Sequence, residues 1–109
     1  MKLLRPYLGL ALLLWGSSVL AQTPTAMDYI VAIAGEQGIG VRPAGSAGEQ
    51  LTAEYIEQQW INQGLTPYTN SFNINDDKMS KNVIVDIKGK AEKTLIIAAH
   101  YDSTGEKEG

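Results

Sequence analysis

The run Thr94-Leu95-Ile96-Ile97-Ala98-Ala99 carries no charged or amide side chain and opens directly into His100-Tyr101-Asp102-Ser103-Thr104-Gly105. Six such residues are too few for a buried helix and show no alternation of polar and apolar positions. They read as a strand apolar on both faces, of the kind found inside an α/β sheet with neighbours along both edges. Residues 94–99 are therefore the expected central strand, and the expected fold class is α/β, a mixed sheet flanked by helices. A histidine and a carboxylate placed where such a strand ends stand where open α/β sheets present ligands. His100 is the only histidine in the 109 residues, so any histidine chemistry runs through it.

The beginning of the chain has a different character. Lys2 and Arg5 form a short basic region, residues 8–15 an apolar core, and Ser17-Ser18-Val19-Leu20-Ala21 places small residues at a cleavage position. That is the pattern of a secretory signal peptide, and its apolar run is too short to span a bilayer. Residues 1–21 are expected to be removed on export, to the periplasm or outside the cell, with no stable membrane insertion afterwards. Cleavage would leave 88 of the 109 residues, and loss of Lys2 and Arg5 would move the net charge from −3 to −5. An acidic domain lacks the basic footprint that nucleic acid or anionic membrane requires, so neither is expected as a partner. With no cysteine, an exported domain of this size depends on its core alone, which is scant near about 70–80 residues. Residues 22–109 are therefore expected to be part of a larger domain.

The middle of the chain reads as two helices followed by strands. Met27, Ile30, Val31 and Ala34 fall on one face of a helix over residues 26–34, which Gly35, Gly38 and Gly40 break. Ser46 and Glu49 have the spacing of a capping box, each side chain serving the other's free backbone N–H. The helix they start, over residues 47–63, puts Ala53, Ile56 and Trp60 on one face and Leu51 and Tyr55 on another. Glu54, Glu57, Gln58 and Gln59 form its expected solvated side, and Gly64-Leu65 supplies its stop. From there the period becomes two. Residues 68–74, preceded by Pro67, read as an edge strand. Asn75-Asp76-Asp77-Lys78 reads as a turn, and residues 82–88 as a half-buried antiparallel strand with Val83, Val85 and Ile87 inward.

Several weak motifs fall away on inspection. Gly38-Ile39-Gly40 follows a helix rather than a strand, and Pro43 occupies the third glycine position of a dinucleotide fingerprint. Gly45-Ser46-Ala47-Gly48 could cradle an anion at a helix start, but no P-loop lysine follows and capping accounts for it better. Asp102-Ser103-Thr104-Gly105 has one residue too many for the aspartic-protease triplet. His100 and Asp102 remain. Two apart on an extended backbone, they point the same way, and a carboxylate on one ring nitrogen makes the other a better metal ligand. A histidine bonded to backbone, or a His–Asp pair serving a distant serine, fits the same spacing.

A longer set of residues carries a resemblance. Arg42-Pro43-Ala44-Gly45-Ser46, Glu49, Thr52-Ala53-Glu54-Tyr55-Ile56 and Gly64-Leu65 are followed by Ser80-Lys81-Asn82-Val83-Ile84 and Ile87-Lys88-Gly89. Leu95-Ile96-Ile97-Ala98-Ala99-His100-Tyr101-Asp102-Ser103 completes the set. In this order and spacing the chain resembles the N-terminal half of the M28 family of zinc aminopeptidases. The resemblance implies a zinc-aminopeptidase-like fold cut after an early central strand. It makes His100 a ligand of one of two zinc ions and Asp102 the catalytic-site acid that orients and polarises the imidazole. It implies hydrolysis of N-terminal peptide bonds in peptide or protein substrates by two zinc ions about 3.5–4 Å apart, with a glutamate as base. Arg42 and the Gly45-Ser46 turn are implied only as scaffold. The family's bridging aspartate, base and ligand glutamates, further acidic ligand and second histidine have no counterpart in these 109 residues, so the segment alone is expected to be inactive. A glutaminyl-peptide cyclase, which shares the fold and the His-Tyr-Asp-Ser block, and a non-catalytic exported domain of the same fold are the alternatives.

Overall fold

The computed structural model describes residues 22–104, so the expected signal peptide, residues 1–21, lies outside the described residues. The fold is a small α/β arrangement in the order α1 (Ala26–Ala34), α2 (Ala47–Asn62), β1 (Tyr68–Asn75) and β2 (Lys78–Ile84). The two strands form an antiparallel hairpin, and α2 packs against β2.

Helix α1 starts on a capping box that the sequence reading passed over. Thr25 Oγ1 accepts from the Asp28 N–H, and the Asp28 carboxylate accepts from the Thr25 N–H at 2.7 Å. These bonds hold the Asp28 carboxyl below its ordinary value, the backbone N–H of Thr25 contributing most and its hydroxyl next. The expected limits of α1 hold but its expected buried face does not. Met27, Ile30 and Val31 are exposed, and Tyr29 and Ile33 instead face α2 across an open apolar cleft of about 210 Å³ that Tyr55, Ile56 and Trp60 also line. Periodicity locates a stripe, but the residues that face α2, Tyr29 and Ile33, lie off it, and no residue of α1 is buried.

Helix α2 begins and ends where expected, one residue short at its carboxyl end. Gly64 adopts φ +78°, a left-handed position that suits a residue without Cβ. Its N–H donates to Ile61 O at 2.9 Å and that of Leu65 to Trp60 O at 3.0 Å, the paired bonds of a Schellman stop. Thr52 and Ala53 are fully buried, and Ala53 is the one apolar side chain among the described residues that reaches that state. Leu51, expected on a second apolar face, is exposed. Within the expected solvated side, Glu57 turns inward, with Lys81 Nζ 3.3 Å from its Oε1.

Strand β1 matches its expected place and is exposed throughout, as an edge strand should be. The second strand lies earlier than expected, Lys78–Ile84 rather than residues 82–88. Pairing explains the shift. Ile84 lies opposite Tyr68, and the next partner would be Pro67, which has no N–H to give the ladder. At the other end the turn closes with the Asp77 N–H on Asn75 Oδ1 at 3.1 Å, and the register slips by one residue between Asn73 and Asn75.

Residues 94–99 depart most from expectation. They form no strand and pair with nothing among the described residues, and Leu95, Ile96 and Ile97 are 83%, 81% and 88% exposed. Burial on two faces needs strands on both edges, and the two-stranded hairpin offers none to this segment. The mixed sheet with a buried central strand is thus not what residues 22–104 form.

Candidate metal centre

Immediately after this uncovered segment the chain is held firmly. Tyr101 turns inward, and its hydroxyl donates to the Lys81 carbonyl oxygen on β2. Burial, first, and the Glu49 carboxylate, second, push the Tyr101 phenol above its ordinary value. Ser103 also turns inward. Its hydroxyl accepts from the Arg42 N–H at 2.9 Å, and its own N–H donates to Arg42 O at 2.9 Å. Between these two anchors the alternation of an extended backbone sends His100 and Asp102 outward together, as the sequence spacing required.

The imidazole and the carboxylate meet. His100 Nδ1 lies 3.0 Å from Asp102 O and 3.1 Å from Asp102 Oδ1. Both partners are acceptors, a carbonyl and a carboxylate, so Nδ1 carries the proton and donates. The lone pair is left on Nε2, and the ring is 84% exposed. This is the orientation in which a histidine ligates a metal, the outer carboxylate fixing the tautomer. The geometry therefore fits one ligand position of a zinc site. It fits no more than that, because zinc sites take three or four protein ligands, and no cluster of three or more His, Cys, Asp or Glu side chains is assembled among the described residues.

Glu49 supplies the frame beneath this turn, by a route the sequence did not reveal. Half of the expected capping box is present, the Glu49 N–H donating to Ser46 Oγ at 3.2 Å. The reciprocal half is diverted. Glu49 is 6% exposed, and its carboxylate accepts from the Gly45 N–H at 2.5 Å and from Ser80 Oγ at 2.6 Å. One buried charge thereby ties the loop before α2 to strand β2, beside Tyr101. It also answers the question of an anion site at this helix start, since the Gly45 N–H already has its anion. Gly48 lets the loop approach: a Cβ there would lie 2.1 Å from Val41 O.

Arg42 is the second residue that sequence reasoning undervalued. It stands in the loop between α1 and α2 and donates Nε to Tyr101 O at 3.1 Å and Nη1 to Ile33 O at 3.1 Å. Nη1 also donates to Gly40 O. No local pattern announces the bond to Tyr101, because its partner lies 59 residues away.

No family model, curated protein or solved structure matches the chain. No helix among the described residues is long and apolar enough to cross a membrane.

Proposed function

We propose that this chain is the N-terminal part of an exported, zinc-dependent aminopeptidase of the M28 type, acting on peptides or proteins with a free N-terminus. His100 is one zinc ligand in this reading, and Asp102 is the acid behind it that sets its tautomer. The observation that carries the proposal is the pair itself: Nδ1 is held by Asp102 within 3.1 Å while the ring stays open to solvent. A second support is the uncovered run Leu95-Ile96-Ile97. An apolar segment this exposed, next to a ligand pair, supports a reading in which further strands of a larger sheet would cover it. Zinc, when bound, supplies carbonyl polarisation and a hydroxide near neutral pH. The residues in hand contribute one oriented nitrogen and its support.

The test uses the whole reading frame that contains this chain. Its product should hydrolyse aminoacyl-4-nitroanilides in the presence of zinc, hold two zinc ions per chain, and lose the activity in His100→Ala. No hydrolysis with either zinc or cobalt, or full activity in His100→Ala, overturns the proposal. One zinc ion together with cyclisation of N-terminal glutamine replaces it by the cyclase reading.

A further inference from the structure

We propose that Arg42 is the positioning residue of the His100–Asp102 pair, clamping the extended segment 101–103 from the loop before α2. The inference rests on the metal-site reading only for what the position is used for; the clamp itself stands on geometry. The segment that leads into the pair gives it no support, since residues 94–99 are unpaired and exposed. A segment that is unpaired on its upstream side must be fixed from elsewhere. Arg42 does this at three points: Nε on Tyr101 O, its N–H on Ser103 Oγ, and its carbonyl on the Ser103 N–H. The two contacts on Ser103 and the one on Tyr101 bracket Asp102, so its backbone carbonyl and carboxylate are both presented to His100 Nδ1.

The guanidinium is itself braced. Nη1 donates to Ile33 O in the last turn of α1 and to Gly40 O. The same last turn of α1 is satisfied by the loop folding back, the Ile39 N–H on Ala32 O and the Gly40 N–H on Ile33 O. Arg42 thus joins the end of α1, the loop before α2 and the ligand turn through one planar fork. A lysine has no such fork, since its donors all sit on one point. The pairing of the turn to the hairpin through Tyr101 and Lys81 O anchors only the other side of the segment.

His100 is the only histidine, which makes its ring signal unambiguous. The experiment is nuclear magnetic resonance of the nitrogen-15-labelled chain, recovered after export and without metal, comparing wild type with Arg42→Lys and Arg42→Ala. In wild type the neutral ring should carry its proton on Nδ1, and the Ser103 amide should exchange slowly. Arg42→Ala removes the guanidinium's hold on Tyr101 O and keeps the two backbone contacts on Ser103; it should shift the ring toward a mixture of tautomers and, through the loosened loop, speed Ser103 exchange on the order of tenfold. Arg42→Lys, which keeps charge and fold, should fall between. Thr25→Ala is the control, since it weakens α1 without touching these bonds, and should lower the melting temperature while leaving the tautomer and Ser103 exchange unchanged.

Unchanged ring and exchange signals in both Arg42 variants overturn the inference. So does an equal change in Thr25→Ala, which would make the effect one of general stability. Because no metal is present, the result is independent of the peptidase reading. A clamp that behaves as described in a protein without zinc-dependent hydrolysis would leave Arg42 in its role and remove only the chemistry.

Discussion

Replacing Glu49 with alanine withdraws the acceptor from two donors at once, the Gly45 N–H at 2.5 Å and Ser80 Oγ at 2.6 Å, at a site only 6% exposed. A hydrogen bond to a charged group contributes about 1.5–3 kcal/mol. Losing two that share one carboxylate should cost about 3–5 kcal/mol, a little less than their sum because the loop can relax. Glu49→Gln keeps one carbonyl acceptor but turns an amide toward the other donor, and should cost about 1.5–3 kcal/mol. Urea denaturation followed by circular dichroism measures both. A double-mutant cycle with Ser80→Ala should return a coupling of about 1–3 kcal/mol. The phenol next door gives a second readout. Glu49 is the second cause of the raised Tyr101 value, so Glu49→Gln should bring Tyr101 ionisation down without returning it to normal, since burial, the larger cause, remains. If Glu49→Ala costs less than about 0.5 kcal/mol, the value of an ordinary surface change, then Glu49 is a solvated helix residue and the frame beneath the ligand turn is not as described.

Three further outcomes follow from particular residues. Tyr101 and Tyr68 should ionise above tyrosine's ordinary value of about 10, Tyr68 because of desolvation and then Asp86. Tyr101→Phe should remove one late step from the ultraviolet titration. Because the folded value of Tyr101 is raised, its contribution to stability is complete below pH of about 10 and is lost as pH climbs through the folded value. Melts taken upward from about pH 10 should show that loss in wild type and a smaller one in Tyr101→Phe. Gly64→Ala meets open space and only the left-handed φ, so it should cost about 1–2 kcal/mol. Gly48→Ala drives a Cβ to 2.1 Å from the Val41 carbonyl and should cost more in the same urea series. Changing Leu95, Ile96 and Ile97 together to threonine should alter the unfolding free energy in urea by no more than about 0.5 kcal/mol and reduce light scattering on concentration. A loss of several kcal/mol would mean that this segment is packed.

The parts of the fold legible in the sequence are those encoded within a few residues. Ser46 and Gly64 set the limits of α2 because capping is local, and Asn75-Asp76-Asp77-Lys78 marked its turn for the same reason. Thr25 and Asp28 could have been read in the same way. His100 and Asp102 met because spacing of two on extended backbone decides it. What depended on distant partners was hidden. Glu49 has the spacing of a capping glutamate, and only the approach of Ser80, 31 residues on, diverts it. The side of α1 that faces α2, with Tyr29 and Ile33, is not its own periodic stripe, and none of the helix is buried. Residues 94–99 carry the composition of a buried strand, and composition cannot supply the strands that bury it.

The reading of His100 as one oriented ligand is most directly tested by titrating zinc into the chain while following its single imidazole. Weak binding that moves Nε2 and leaves the proton on Nδ1 is the expected result, since Asp102 holds Nδ1 and no group of three ligating side chains is assembled among the described residues. Two results would contradict it: saturation at one equivalent, which needs a full ligand set within these residues, or no response at His100.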